Sequence, residues 1–316
     1  EQMFVSSTHD DLLCFTNTGR VFKMKVYEIP EGGRTTRGRA IINLLALQEG
    51  ERICRFMPIE DFEREEAFLV FATKAGRVKR TALSEYRNVN RSGLIAIGLR
   101  DGDELIDVTW TSGSDHILLG TANGMAIRFD ENDSRMMGRT ASGVKGITLV
   151  GDDEVVGLVR CLQEDEAELL TVTENGYGKR TALDEYLVKS EDGSTRTQGR
   201  GGKGRRDINT TARNGKVVAL LSVDGKGDLM LISYNGMIVR ISTSTIRQTG
   251  RGTQGVRVIN LNKEDKLAGV ARIADETSEE VEAAEAAASQ TPAVDQQVDT
   301  TSDQTPNADD AQDAQE

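Results

Sequence analysis

The stretch from Gln198 to Arg206, QGRGGKGRR, is the chain's densest combination of glycine and cationic side chains. Its GRGGKG portion satisfies G-x-G-x-x-G, a pattern whose glycines let the backbone approach a dinucleotide pyrophosphate at a helix N-terminus. That chemistry requires a preceding parallel strand and a following helix. Here a strand-like segment, RRDINT, follows, and Gly204 after Lys203 replaces the Ser or Thr of a P-loop. The stretch therefore predicts a phosphate-contacting loop of another kind.

The same loop recurs along the chain as G-R-x-x-x-G, and we call the five copies the rim loops. They are GRTTRG (33–38), GRTASG (138–143), GRGGKG (199–204), GRGTQG (250–255) and the degenerate NVNRSG (88–93). One structural alternative is that the glycines serve only turn geometry through positive φ, which leaves the repeated cations unexplained. Cations with few acids between them suit a polyanion, because each one that meets a phosphate releases counterions.

From these loops we predict a set of DNA-binding side chains. They are Arg34, Arg37, Arg39, Arg91, Arg139, Lys145, Gln198, Arg200, Lys203, Arg205, Arg206, Arg251 and Arg257. The loops contain no aromatic side chain, which argues against base stacking on single strands and for a duplex held by its backbone.

The elements that must position the loops also repeat. Five strand–turn–strand segments have turn glycines at Gly19, Gly76, Gly124, Gly176 and Gly236, and Asn precedes three of these glycines, which predicts type I′ hairpins. After each hairpin come a rim loop, a short apolar segment, a polar and usually acidic turn, and a further strand. Each unit thus has about four short strands and no helix. This predicts an all-β fold of radial blades, since a β-sandwich does not explain five registered copies.

Two copies of KRTAL, at 79–83 and 179–183, follow the turns of the second and fourth hairpins. Two accounts of their cations stay open at this point. They add phosphate contacts, or they keep a strand edge soluble.

Charge divides the chain into two parts. The net charge is −12, yet residues 274–316 contain 13 acids and no Lys or Arg, which leaves 38 acids against 39 bases in 1–273. We predict a folded β domain over 1–273, with one basic face, and a disordered acidic tail over 274–316.

Other classes of protein find little support. The three cysteines are scattered, which predicts reduced core thiols and no metal set, and no apolar run is long enough to span a membrane. The two histidines are isolated, and no catalytic spacing emerges. We expect a cytoplasmic protein with no catalytic residues, no metal and no cofactor.

QGRGGKG resembles the Q-R-R-G-G-K-G box of the C-terminal domain of DNA gyrase A, part of a bacterial type II topoisomerase, and the likeness extends over the repeats and the tail. It implies a β-pinwheel, a propeller-like fold whose four-stranded blades exchange strands. Five blades are visible, and a sixth would be incomplete or lie upstream. It further implies a basic rim that wraps duplex DNA with one handedness, which supports ATP-dependent negative supercoiling. The protein would be associated with the nucleoid. The partners would be the remainder of gyrase A and, through the holoenzyme, gyrase B, with the isolated piece monomeric.

Two departures from the family accompany this resemblance. Gly199 stands where the box has Arg, and the box belongs to the first blade, whereas QGRGGKG follows the fourth hairpin. We expect the standard box upstream and QGRGGKG as an additional DNA clamp, with the longer connection around VKSEDGSTRT pushing its cations outward. Three alternatives stay open: a topoisomerase IV C-terminal domain that binds DNA without strong wrapping, a propeller-type protein-interaction scaffold, and an enzyme on a propeller.

Overall fold

Each repeat begins with an antiparallel hairpin in the computed structural model, which describes residues 4–33, 36, 38–162 and 167–273. The first strands of the hairpins are β1 (Asp11–Thr16), β4 (Phe68–Thr73), β8 (His116–Thr121), β12 (Glu168–Thr173) and β18 (Asp228–Ser233). The second strands are β2 (Arg20–Lys25), β5 (Arg77–Ala82), β9 (Met125–Asp130), β13 (Tyr177–Ala182) and β19 (Ile238–Ser242). The five hairpins define blades 1 to 5.

The hairpin turns are not of type I′. Asn123 does not have the positive φ that type I′ requires, whereas Gly124 has φ +79°. The Gly124 N–H donates to Thr121 O at 3.0 Å, so a three-residue loop ends in a left-handed glycine. The Thr121 hydroxyl also accepts from Met125 N at 3.1 Å, which gives the turn a further hydrogen bond. A hydroxyl residue three positions before the glycine is therefore part of the turn signal.

Two more strands complete a blade, and one of them comes from the next repeat. The third strands are β3 (Ile53–Ile59), β7 (Leu105–Thr111), β11 (Val155–Cys161), β17 (Val217–Val223) and β21 (Leu267–Arg272), and each pairs with the first strand of its own hairpin. The exchange strands are β6 (Leu94–Ile95), β10 (Val144–Lys145), β16 (Arg205–Arg206) and β20 (Val256–Arg257). Each exchange strand pairs with the second strand of the preceding blade, which confirms the pinwheel with strand exchange.

The order within a four-stranded blade is third, first, second and exchange strand. Third strands of neighbouring blades contact one another, so they face the common axis and the exchange strands form the outer edge. The hydrophobic core lies between consecutive blades. Phe15 of blade 1, for example, packs edge-on against Phe71 of blade 2 at 5.6 Å between ring centroids, and both are fully buried. Burial of side chains this size stabilises the fold by about 1.5–3 kcal/mol each.

Blade 5 has three strands within the described residues, and an additional small hairpin, β14 (Val188–Lys189) and β15 (Thr195–Arg196), leaves the body after blade 4. The described part contains six 3-10 helices: Val26–Glu28, Ile41–Asn43, Leu83–Tyr86, Glu131–Asp133, Leu183–Tyr186 and Thr243–Thr245. None of these could cross a membrane. Cys14 and Cys161 are buried and Cys54 is half-buried. The predicted tail, 274–316, lies outside the described residues.

Candidate nucleic-acid interface

The exchange strands place cations at one register along the outer edge. Lys145 lies opposite Arg77, and Arg206 lies opposite Met125. Arg257 occupies the corresponding position on the next blade. These three cations are exposed, whereas Arg205, the fourth cation on the exchange strands, is half-buried. Because strand pairing fixes where each side chain points, the edge presents one cation per blade from blade 2 to blade 4.

The predicted DNA-binding residues fall into three groups by environment. Arg34 and Arg37 lie outside the described residues. The exposed group carries no ion pair within the described ranges and comprises Arg39, Arg91, Lys145, Lys203, Arg206 and Arg257. The half-buried group comprises Arg139, Gln198, Arg200, Arg205 and Arg251. The exposed group is the one that an approaching phosphate meets first.

The arginine of G-R-x-x-x-G fixes its rim loop to the preceding blade. The Nε of Arg139 lies 3.9 Å from an oxygen of Glu85, on the 3-10 helix of blade 2. The Nε of Arg251 lies 3.6 Å from Glu185, on the equivalent helix of blade 4. Arg200 Nε donates at 2.7 Å to the carbonyl of Asp133, on the blade 3 helix. One residue type at one loop position therefore makes an equivalent inter-blade contact three times.

The two glycines of the rim-loop pattern have different roles. Gly143 has φ +70°, and a Cβ there would stand 2.3 Å from Val78 O. Gly204 is similar, with φ +73° and a distance of 2.5 Å to Ala126 O. By contrast, a Cβ on Gly138 would meet nothing within 4 Å. The last glycine thus serves the close approach of the loop to a neighbouring strand, and the first does not.

Successive rim loops are joined through the backbone. The Gly201 N–H donates to Gly146 O at 2.6 Å, and the Gly252 N–H donates to Asp207 O at 2.6 Å. The loop of the fourth repeat is therefore held like that of the fifth. The extra residues before it form the hairpin of β14 and β15, so the expectation that they push the loop's cations outward is wrong.

Lys203 and Arg206 border a cleft of about 410 Å³ beside the turn of the third hairpin. Asp153 and three threonines, Thr148 among them, also line it, so it combines cations with hydroxyls and one carboxylate. Thr148 fixes the loop to the cleft, since its hydroxyl donates to Gly201 O at 2.6 Å. The most cationic loop of the sequence is thus hydrogen-bonded to the cleft and presents two exposed cations, Lys203 and Arg206, beside it.

Both accounts are wrong for the lysines of KRTAL, because Lys79 and Lys179 are fully buried. The arginines that follow them, Arg80 and Arg180, form ion pairs with Glu131 and Glu168. The ammonium of Lys79 donates to Arg139 O at 2.6 Å and to Ala96 O. Burial, together with the smaller effect of the nearby Arg139, lowers the pKa of Lys79 to about 7. Lys79 therefore holds a rim loop through a hydrogen bond from the blade interior. Among the described residues, no carboxylate lies within ion-pair distance of Lys79.

Lys179 makes the equivalent tether in blade 4, with a carboxylate added. Its ammonium lies 3.0 Å from Asp207 and donates to Gly250 O at 3.4 Å. Asp207 is 1% exposed and also accepts hydrogen bonds from Tyr186 Oη at 2.6 Å and Thr171 Oγ1 at 2.7 Å. Asp207 lies three residues after the last glycine of its rim loop, the position that Ala96 occupies in the second repeat.

Sequence reasoning missed two arginines that hold rim loops from the side. Arg20 donates to Ser92 O at 2.5 Å, and Arg77 donates to Ser142 O at 2.8 Å and to Gly143 O. Both directly follow a hairpin glycine, and that position was the available signal. Among the described residues, no cluster of three or more His, Cys, Asp or Glu side chains could hold a metal ion.

A family model described as "DNA gyrase C-terminal domain, beta-propeller" matches six segments of the chain: 10–56, 67–109, 115–161, 167–193, 196–224 and 227–274. DNA gyrase A of Staphylococcus aureus strain MRSA252 is 44% identical over 305 residues, which are 96% of this chain and 33% of that protein. Its counterpart in strain NCTC 8325 is 46% identical over 279 residues, or 88% and 30%. The chain thus spans about a third of these relatives.

Two solved structures share the fold. The C-terminal domain of DNA topoisomerase IV has a TM-score of 0.76 and 26% identity, and the match covers 90% of this chain and 85% of that one. A DNA gyrase A C-terminal domain has a TM-score of 0.71 and 24% identity, with 85% and 84% covered.

Proposed function

The chain belongs to the DNA gyrase C-terminal domain family, and from that premise we propose that it binds duplex DNA along its outer edge and bends it chirally. The bent duplex would supply the DNA geometry that gyrase needs to introduce negative supercoils. The observation that carries the proposal is the register of exposed cations on the exchange strands, at Lys145, Arg206 and Arg257.

The contacts suit a phosphate backbone better than bases. The exposed cations lie on short strands fixed by backbone pairing, and the loops between them bring no aromatic side chain for stacking. Smooth bending of a duplex costs about 1–6 kcal/mol per 20–30 bp, so one or two contacts do not suffice. A cation from each of several blades supplies contacts at intervals along a curved path, with little dependence on base sequence.

In this proposal the chain performs no bond chemistry and takes no cofactor. It is one part of an ATP-dependent type II topoisomerase, whose cleavage and ATPase sites lie in the remainder of gyrase A and in gyrase B. We place it in the cytoplasm, with the nucleoid.

Ligation of a nicked plasmid in the presence of the chain tests the proposal. A shift of the linking number in one direction, growing with protein concentration, is the expected result, because only a chiral path traps writhe of one sign. DNA binding without a shift would favour the topoisomerase IV type, which the shared fold keeps as the second candidate. Affinity that vanishes at physiological salt would favour a protein-interaction scaffold and overturn the proposal.

A further inference from the structure

The turn before the third strand differs in blade 4 from its counterparts. In blades 1, 2, 3 and 5 the turns QEGER (48–52), RDGDE (100–104), GDDE (151–154) and NKEDK (262–266) each contain two or three acids. In blade 4 the turn TARNGK (211–216) contains no acid and two cations, Arg213 and Lys216. One sector of an otherwise acidic set of turns has therefore lost its negative charge.

The turn of blade 4 is held by a buried amide and by its backbone, without a carboxylate. In blade 3, Asp153 accepts from the backbone N–H of the hairpin residue Asn123 at 2.9 Å. In blade 4, the N–H of the equivalent residue, Asn175, donates to the backbone oxygen of Asn214 at 3.2 Å, and the fully buried Asn214 side chain accepts from Thr211 N at 2.7 Å. It also donates to Gln254 O at 3.0 Å, next to the exchange strand that carries Arg257. The turn keeps a rigid frame without a charge.

Arg213 and Arg257 converge on one phenol from two different repeats. Arg213 Nε donates to the hydroxyl of Tyr177 at 3.2 Å, and Arg257 Nη2 donates to it at 3.0 Å. Both guanidinium groups also lie near the tyrosine ring, at 5.1 and 5.4 Å from its centroid. Hydrogen bonds from Arg257 and then Arg213 lower the pKa of Tyr177.

Neither guanidinium is neutralised by a carboxylate within the described part of the chain, and both side chains are exposed. The carboxylate of Glu174, on the adjacent hairpin turn, is bound by Lys266 at 2.6 Å. Two planar forks that donate to the same hydroxyl, with N–H groups left over, match the oxygens of a phosphate.

We propose that Arg213 and Arg257, spaced by Tyr177, form a two-pronged clamp for a backbone phosphate of duplex DNA, found in blade 4 alone among the five blades that the structure describes. The clamp rests on the proposed function and extends the contact surface from the outer edge onto the turns of one blade. A duplex that follows the cations of the exchange strands meets a second row of contacts here. The wrap is therefore held more tightly at blade 4 than at its neighbours.

The test compares duplex affinity across salt for the 316-residue chain and three variants. Arg213→Gln removes a clamp charge, Lys263→Gln removes an exposed charge from the equivalent acidic turn of blade 5, and Tyr177→Phe removes the shared hydroxyl while keeping both charges. We expect Arg213→Gln to lower the slope of log K against log salt by about 0.9, the value for one phosphate contact. Its affinity defect should shrink about 3.5-fold between about 50 and 200 mM salt.

Lys263→Gln should match the unchanged chain, and Tyr177→Phe should weaken binding without changing the slope. Arg213→Lys, which keeps the charge, should keep the slope and lose part of the affinity. A loss of affinity in Arg213→Gln at constant slope would assign the residue a structural role and overturn the clamp. Equal effects of Arg213→Gln and Lys263→Gln would overturn it too.

Two further arms distinguish the clamp from the outer edge and from a site for a free anion. The double variant Lys203→Gln/Arg206→Gln reports on the outer edge. If the salt slope falls in this double variant but not in Arg213→Gln, the clamp is refuted and the proposed function stands. If the slope changes in neither variant, the proposed function is contradicted. Calorimetry with inorganic phosphate separates a free anion from a phosphodiester. Saturable phosphate binding that needs Arg213, without an effect of Arg213→Gln on DNA, would overturn the assignment to DNA.

Discussion

Removing the carboxylate of Asp207 should destabilise the domain strongly, because the substitution leaves a buried lysine without a counter-charge. Asp207 is the only carboxylate, among those the structure describes, within ion-pair distance of Lys179, and both side chains are almost completely buried. In Asp207→Ala, Lys179 would retain the Thr181 hydroxyl at 2.7 Å and the long contact to Gly250 O. The substitution would make blade 4 resemble blade 2, where Ala96 stands at this position.

Blade 2 supplies the magnitude. A lysine pKa of about 7 in place of 10.5, as at Lys79, corresponds to a penalty of about 5 kcal/mol near neutral pH. Removing one partner of a buried ion pair typically costs about 3–5 kcal/mol. Both figures predict that Asp207→Ala loses about 3–5 kcal/mol of unfolding free energy at pH 7. The cost should shrink as the pH rises toward 10, because the stranded lysine can then release its proton.

Urea denaturation followed by circular dichroism at several pH values measures the loss. Asp207→Asn keeps the shape and one acceptor oxygen for Tyr186, while its NH2 group can donate to the Thr171 hydroxyl, which also accepts. The loss of stability in this variant therefore reports mainly the removal of the charge. Lys179→Met/Asp207→Leu removes both charges and should recover most of the stability. A cost below about 1 kcal/mol for Asp207→Ala, or the same cost at pH 7 and pH 10, would refute the reasoning.

Three further predictions follow from the rim and the tail. The folded chain holds the pKa of Lys79 near 7 while the unfolded chain keeps 10.5, so the unfolded state binds one more proton between these two values, and stability should rise with pH across that window by at most roughly 1.4 kcal/mol per pH unit. Lys79→Met should show a flatter pH profile of stability in the same denaturation series. An identical profile would contradict the lowered pKa of Lys79. Gly143→Ala should cost about 1–3 kcal/mol because of its positive φ and the contact with Val78 O, whereas Gly138→Ala should stay within about 0.5 kcal/mol, as thermal unfolding of the pair would report. Deleting 274–316, which carries 13 acids, should raise DNA affinity at low salt if the tail competes for the rim, and unchanged affinity would count against that competition.

The repeat made much of the fold predictable. Turn glycines and apolar runs recur in register, so the hairpins, the third strands and the rim loops could be placed from the sequence. Strand exchange could not be derived in this way, because β10 is only two residues long and nothing local states which blade it joins. Only the resemblance to a known family implied it.

The candidate site was less predictable, since residues of the same type differ there in burial and in the contacts they make. Arg139 and Lys145 lie on either side of the same loop glycine, yet one contacts a helix of the preceding blade and the other is exposed. Lys179 looked like a surface residue because a cation in a short strand normally is one. Its partner Asp207 comes 28 residues later and reaches it through the next connection to a neighbouring blade. Burial here depends on tertiary contacts, which spacing alone does not reveal.

Strand exchange also sets the order in which the domain can be completed during synthesis. When the second hairpin has left the ribosome, β5 still has an open edge, and β10 arrives only after the third hairpin has been made. Each blade is therefore finished one repeat late, since domains form from the N-terminus as the chain emerges. Lys145 arrives on the same two-residue strand that closes blade 2. In blades 2 to 4 the edge therefore acquires its cation at the moment when the blade stops being a template for unwanted strand pairing.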